Sequence, residues 1–176
     1  MKLPENFKIG LTLSGGASYG MAHIGVIKAL REYGIEPEVL YGTSAGAIVA
    51  VLYASGASIR EMRAFAQGNQ LTKMIRWRVP RLGFLPLDHL ENKISEYIPL
   101  EYLEDLPRKV IIGGTNLETG RHEDIETGPL TKAVAASCAI PVFFKPVEVN
   151  GHIFEDGGVS NNMPAFALRK HCDFII

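Results

Sequence analysis

The sequence predicts an α/β fold with a mostly parallel sheet covered on both faces. Short apolar strand patterns alternate with helix patterns along the chain. The segment Ala45–Ser55 is apolar all round, as a helix buried against a sheet must be. The stretch "VLYGTSAGAIVAVL" passes from strand to helix through one tight turn.

Taken in order, Phe7, Ile9, Leu11 and Leu13 alternate with Lys8, Gly10 and Thr12 and read as a strand. "SGGASYG" follows, then a helix over Met21–Tyr33 with Lys28, Arg31 and Glu32 on one polar face and Gly34 as its stop. Glu38–Tyr41 is a second strand, and Ala45–Ser55 the buried helix. Ser58 and Glu61 form a capping box for a helix that buries Ile59, Met62 and Phe65. Asp88 and Glu91 open another, with Leu90, Ile94 and Tyr97 inward. Val110–Thr115 is an apolar strand, and "NLETGRHEDIETG" a hairpin turning at both ETG triplets. Thr127 and Pro129 start a helix that Pro141 ends. Val147–Glu155 reads as one strand, Pro164–His171 as a short helix and Phe174–Ile176 as a last strand.

The chain's 176 residues suit a single domain over 1–176. It stops inside an apolar strand without a cap, which predicts truncation or a final element supplied elsewhere. A net charge of −1 gives no ground for a nucleic-acid partner. Cys138 and Cys172 make neither a disulfide framework nor a metal-ligand spacing. No signal-peptide pattern opens the chain, and the longest apolar run, Ala45–Ala54, falls well short of the ~20 residues a membrane span needs. A cytoplasmic protein is the expectation, with the oligomeric state left open.

Gly42-Thr43-Ser44-Ala45-Gly46 fits G-x-S-x-G between a strand and a helix, the setting of a nucleophile elbow. The same stretch also reads as a serine N-cap on a buried helix. "LSGGASYGMAHIG" leaves backbone amides uncovered at a helix start, where an anion can be held. Beside a nucleophile such a loop is an oxyanion hole, each donor typically contributing ~3 kcal/mol to lowering the barrier. A dinucleotide loop would need G-x-G-x-x-G and an acid after the second strand, and both are missing.

None of the five histidines is well placed as a base for Ser44. His171 precedes its strand, and His152 lies roughly 13 Å from its strand's end. His23 sits one turn into the first helix and packs there, and His89 and His122, in a helix start and a hairpin, have no evident partner. Asp156, in "NGHIFEDGGVSNNMP", ends a strand before Gly157 and Gly158. An ordinary aspartate with a pKa near 3.9 is ionised at neutral pH and can accept the serine proton. An Asp-Gly turn is the plainer alternative.

"LSGGASYGMAHIGVIKAL", "GTSAGAIVAVLYASG", "AASCAIPVFF" and "FEDGGVSNNMP" together resemble, in the right order, the patatin-like phospholipase family. The resemblance runs from about Ile9 to Pro164. It implies a three-layer α/β/α sandwich, a patatin-like variant of the α/β-hydrolase architecture. It implies hydrolysis of lipid acyl esters by a Ser-Asp dyad, with Ser44 as nucleophile and Asp156 as general base and acid. The amides of Gly15, Gly16 and Ala17 form the implied oxyanion hole, and Gly20, Gly42, Gly46, Gly157 and Gly158 are the motif glycines. That chemistry needs no metal and no cofactor. Two positions depart from the family pattern: Ala17 replaces a third glycine, and Tyr19 stands where a basic residue is expected.

Between Met62 and Leu87 there is no acidic residue, and Arg76, Trp77, Arg78 and Phe84 interleave basic and apolar character. The pattern suits a lid or a peripheral membrane contact with anionic headgroups, and equally a loop packing its apolar residues on the body. The rival to an enzyme is a catalytically weakened relative that binds lipid or a protein partner; a nucleotide-binding domain is a third reading.

Overall fold

The computed structural model describes residues 7–68 and 86–176. Its strands are β1 (Ile9–Leu13), β2 (Val39–Thr43), β3 (Lys109–Asn116), β4 (Arg121–Ile125), β5 (Val147–Val149), β6 (His152–Asp156) and β7 (Phe174–Ile175). Its α-helices are α1 (Ala22–Glu32), α2 (Ala45–Ala54), α3 (Ile59–Gly68), α4 (Asp88–Tyr97) and α5 (Leu130–Ser137). Hydrogen-bonded neighbours in the sheet run β5-β6-β3-β2-β1-β7, with β4 also on β3. β7, β1, β2 and β3 are mutually parallel, while β4, β5 and β6 are antiparallel additions.

Alternation along the strands divides the core. Leu11, Leu13, Leu40, Val110 and Ile112 face the larger cluster, built with the apolar sides of α1 to α5. Val39, Tyr41 and Ile111 point the other way, onto Leu168 of a 3₁₀ segment, Ala165–Lys170. This segment forms the thin third layer, in place of the short α-helix predicted over Pro164–His171. All ten residues of α2 are buried, as its all-apolar sequence demands. The Ser58–Glu61 capping box forms at the start of α3: Ser58 N–H donates to Glu61 Oε2 at 2.7 Å and Glu61 N–H to Ser58 Oγ at 3.2 Å.

Val147–Glu155, expected as one strand, is instead a hairpin of β5 and β6. Asn150 and Gly151 turn it with φ of 52° and 82°, the pairing of a type I′ turn. An Asn-Gly step is the strongest short hairpin signal, and it overrides the apolar alternation on either side. Gly151→Ala is expected to destabilise the fold by about 1 kcal/mol, read as a lower urea midpoint at unchanged m.

The hairpin sets the position of Asp156. Gly113 of β3 pairs with both Thr43 of β2 and Asp124 of β4, so β2 and β4 flank it. Gly114 pairs with both Glu123 of β4 and Asp156 of β6. A strand has two edges, so β2 and β6 share the edge of β3 opposite β4 and approach each other end to end. Asp156 therefore reaches the carboxyl edge of the parallel strands from an antiparallel strand descending onto it, and not from a parallel strand ending there.

Candidate active site

Ser44 leaves β2 with φ 51° and ψ −120°, a strained backbone for a residue bearing a Cβ. Local sequence makes the turn possible. A Cβ on Gly46 would collide with the Leu13 carbonyl, and one on Gly42 would lie 2.5 Å from the Ala47 Cα. The side chain of Ser44 makes no capping bond to α2. Its Oγ instead donates to Asp156 Oδ2 at 2.7 Å across 112 residues of chain. The N-cap alternative thus describes where the residue sits and not what its hydroxyl does. The amino end of α2, with its unpaired N–H groups, lies directly beneath the serine and favours negative charge there.

Asp156 is 6 % exposed and Ser44 8 %. Burial raises the aspartate's pKa above the ordinary value, against the opposing hydrogen bonds from Ser44 Oγ and Gly158 N–H. The second of these runs to Asp156 Oδ1 at 2.8 Å and fixes the carboxylate's orientation. Gly157 packs its backbone on the Gly113 carbonyl, where a Cβ has no room.

The glycine loop reaches the same edge. Gly15, Gly16, Ala17, Ser44, Ile140, Pro141, Asp156, Gly158, Val159 and Asn162 line one cavity of about 360 Å³. The N–H of Gly15 is taken up by the Asn162 carbonyl at 3.2 Å, so it is not free to serve as a donor. Among the described residues the amides of Gly16 and Ala17 have no acceptor, which narrows the expected three donors to two. Ala17 holds φ 46°, a left-handed conformation that suits glycine better than alanine. Ala17→Gly is accordingly expected to stabilise the protein by about 1 kcal/mol, seen as a higher urea midpoint. Gly20 packs directly on Ala45, joining this loop to the elbow. Tyr19 is 87 % exposed.

Ser137 carried no role in the sequence reading. It lies at the end of α5, fully buried, and its Oγ accepts from Ser44 N–H at 2.8 Å while donating to the Gly113 carbonyl at 2.6 Å. One hydroxyl thus ties the strained serine to the central strand. A serine within an otherwise apolar helix face was the available signal. Ser137→Ala leaves a buried donor and a buried acceptor unpaired and is expected to cost about 2 kcal/mol or more in urea unfolding. Cys138, next in sequence, is a buried free thiol whose pKa burial pushes well up, so it is an unreactive neighbour of the pair.

No histidine touches Ser44 or Asp156 among the described contacts. His23 Nε2 contacts the Ser14 carbonyl at 2.9 Å, His152 Nδ1 contacts Glu118, and His171 lies 3.9 Å from Glu126. His122, expected to lack a partner, contacts both Tyr41 and Ser160. Arg76, Trp77, Arg78 and Phe84, proposed as lid or membrane contacts, lie outside the described residues. Among the described residues no helix is long and apolar enough to cross a membrane.

A family model described as patatin-like phospholipase matches residues 11–169. An uncharacterised NTE family protein of Mycobacterium bovis is 32 % identical over 160 residues, covering 89 % of this chain and 44 % of its own length. A lysophospholipase NTE1 of Candida albicans is 27 % identical over 177 residues, covering 96 % of this chain and 13 % of its own. The chain thus spans less than half the length of these curated relatives. Among solved structures, VipD from Legionella pneumophila aligns with a TM-score of 0.61 at 18 % identity, over 92 % of this chain and 47 % of its own, and shares the fold.

Proposed function

The chain belongs to the patatin-like phospholipase family, and from that premise we propose that it is a serine acyl hydrolase of lipid esters working through a Ser44–Asp156 dyad. The observation that carries the proposal is the 2.7 Å bond from Ser44 Oγ to Asp156 Oδ2 inside a cavity that also presents two free amides. A base must lie within hydrogen-bond reach of the proton it takes, and Asp156 does.

The chemistry follows from this geometry. Ser44 Oγ attacks the ester carbonyl carbon as its proton passes to Asp156. The carbonyl oxygen becomes an oxyanion held by the Gly16 and Ala17 amides. Collapse breaks the bond to the leaving alcohol, which takes the proton back from Asp156. Water then attacks the acyl-serine, giving its proton to Asp156, and the fatty acid departs as Ser44 recovers that proton. Ile140, Pro141 and Val159 give the cavity an apolar wall. Val159 is also exposed, giving the cavity an apolar rim suited to an acyl chain.

The lipid reading is supported by the family and by the lysophospholipase name of relatives such as the Candida protein. Its test is fatty-acid release from lysophosphatidylcholine micelles, beside hydrolysis of a short-chain p-nitrophenyl ester. Turnover of both supports a lipid acyl hydrolase. A second reading, lipid binding without turnover, rests on Tyr19 standing where a basic residue is expected. It gains if vesicles bind the folded protein and neither ester is cleaved.

A further inference from the structure

We propose that His122, Ser160 and Thr115 are positioning residues for Asp156, joined in a hydrogen-bond chain that a protonated His122 completes and that ends on the Asp156 main-chain carbonyl. This rests on the Ser44–Asp156 reading and adds residues to it that touch neither substrate nor Ser44.

The chain is continuous through the structure. Tyr41 Oη donates to Asp124 Oδ1 at 2.6 Å and contacts His122 Nε2 at 2.8 Å. His122 Nδ1 lies 3.2 Å from Ser160 Oγ. Ser160 Oγ lies 2.7 Å from Thr115 Oγ1, which donates to the Asp156 carbonyl at 2.9 Å. The path crosses the sheet where Gly113 has no side chain: a Cβ there would meet His122, Tyr41 and Thr43. Thr115 is 4 % exposed and its bond to the Asp156 carbonyl is buried, as is Tyr41 at the other end, while Ser160 between Thr115 and His122 is exposed.

Counting protons decides its state. Five contacts link these groups to Asp124 and to the Asp156 carbonyl, and each needs one hydrogen; a sixth, from Ser160 Oγ to the Gly157 carbonyl, is long at 3.5 Å and stands outside the count. Tyr41, Ser160 and Thr115 bring three, and neutral imidazole brings one. With the proton on Nε2, one contact on the Ser160–Thr115 side has none. With it on Nδ1, Tyr41 must donate to the ring, and its contact with Asp124 has none. Imidazolium supplies the fifth: Nε2–H to Tyr41, Nδ1–H to Ser160, Ser160 to Thr115 and Thr115 to the carbonyl. The bonds then run outward from His122 on both sides, through Tyr41 to Asp124 and through Ser160 and Thr115 to the Asp156 carbonyl, and fix the main chain at the start of the Asp156–Gly157–Gly158 turn.

The charges around His122 are few. On its own strand Asp124 lies 3.8 Å from Nε2 and favours the cation, while Glu123 accepts from Asn116. From β2 it meets the Tyr41 hydroxyl, kept protonated by burial, and from the segment after β6 the Ser160 hydroxyl. β3 offers the uncharged Thr115, its cross-strand partner. Beyond Tyr41, Glu126 is paired with Lys109 and Lys170. Burial outweighs Asp124 and holds the imidazole below the ordinary histidine value, so the chain is complete on the acid side of neutrality and loses a link as pH rises.

Two readouts test this, with wild type, Ser160→Ala and Asp156→Asn all confirmed as folded by circular dichroism. The first is the His122 imidazole titration by NMR. Its midpoint is expected to fall by on the order of half a pH unit in Ser160→Ala and in Asp156→Asn, because each removes a group that favours the cation. The second is the rate of Ser44 modification by a fluorophosphonate between pH 4.5 and 8.5. In wild type it is expected to carry an inflection at the His122 midpoint that disappears in Ser160→Ala, with a several-fold slower reaction on the acid side. Identical midpoints in the three proteins, or superimposable rate profiles for wild type and Ser160→Ala, overturn the chain. If wild type does not react at all, the dyad reading fails, and the NMR arm still decides whether His122 is coupled to Asp156.

Discussion

Ser44→Ala is expected to lower kcat for ester hydrolysis by about 10⁴-fold or more, because removing the nucleophile of a covalent mechanism leaves only binding and oxyanion contacts to act on the ester. KM should move little, since the deleted oxygen takes part in bond formation and not in holding an acyl chain. Ser44 Oγ makes a 2.7 Å bond to Asp156, and among the described residues no main-chain group of α2 depends on it for a cap. The variant should therefore melt near the wild-type temperature. Initial rates on a chromogenic short-chain ester beside a thermal melt separate these outcomes. Retained activity in a folded Ser44→Ala protein means another residue is the nucleophile.

Asp156→Asn is expected to lower kcat by roughly 10²- to 10⁴-fold, the range that a positioned base supplies. The amide is close in shape and can still contact Ser44, so the loss reports proton transfer and not packing. In wild type the group must be ionised to act. Because burial raises its folded pKa, the acid limb of kcat/KM should bend above the ordinary aspartate value of about 4. Stability follows the opposite sign. A carboxyl whose folded pKa exceeds its unfolded one favours the fold below the unfolded pKa, and that contribution disappears as pH rises through the folded value. At neutral pH the buried carboxylate is thus a destabilising charge. Asp156→Asn should melt above wild type at pH 7, with the difference shrinking toward pH 3. An inactive variant that is also less stable at neutral pH contradicts this balance.

The elbow is legible in sequence because its geometry is local. Gly42 and Gly46 are the small residues that let β2, Ser44 and α2 approach within five positions, and the apolar run of α2 announces a buried helix. The general location of Asp156 is legible too, through the glycines after it. Its route is not. Alternating apolar residues across Val147–Glu155 conceal the Asn150–Gly151 turn, and only the pairing of β3 with three partners shows β6 meeting β2 end to end. Such pairing depends on residues far apart in the chain, and no local pattern encodes it. Ser137 is hidden for the same reason: it stands 93 residues from the amide it holds. Gly15 was the reverse case, a glycine in the right loop whose amide is claimed by Asn162, 147 residues away.

The central claim is that Ser44 is a nucleophile activated by Asp156. Intact-protein mass spectrometry after incubation with a fluorophosphonate tests it most directly. The predicted result is one adduct per chain, mapped by peptide sequencing to Ser44, absent in Ser44→Ala and formed far more slowly in Asp156→Asn. A folded wild-type protein that stays unmodified, or an adduct on any other residue, contradicts it.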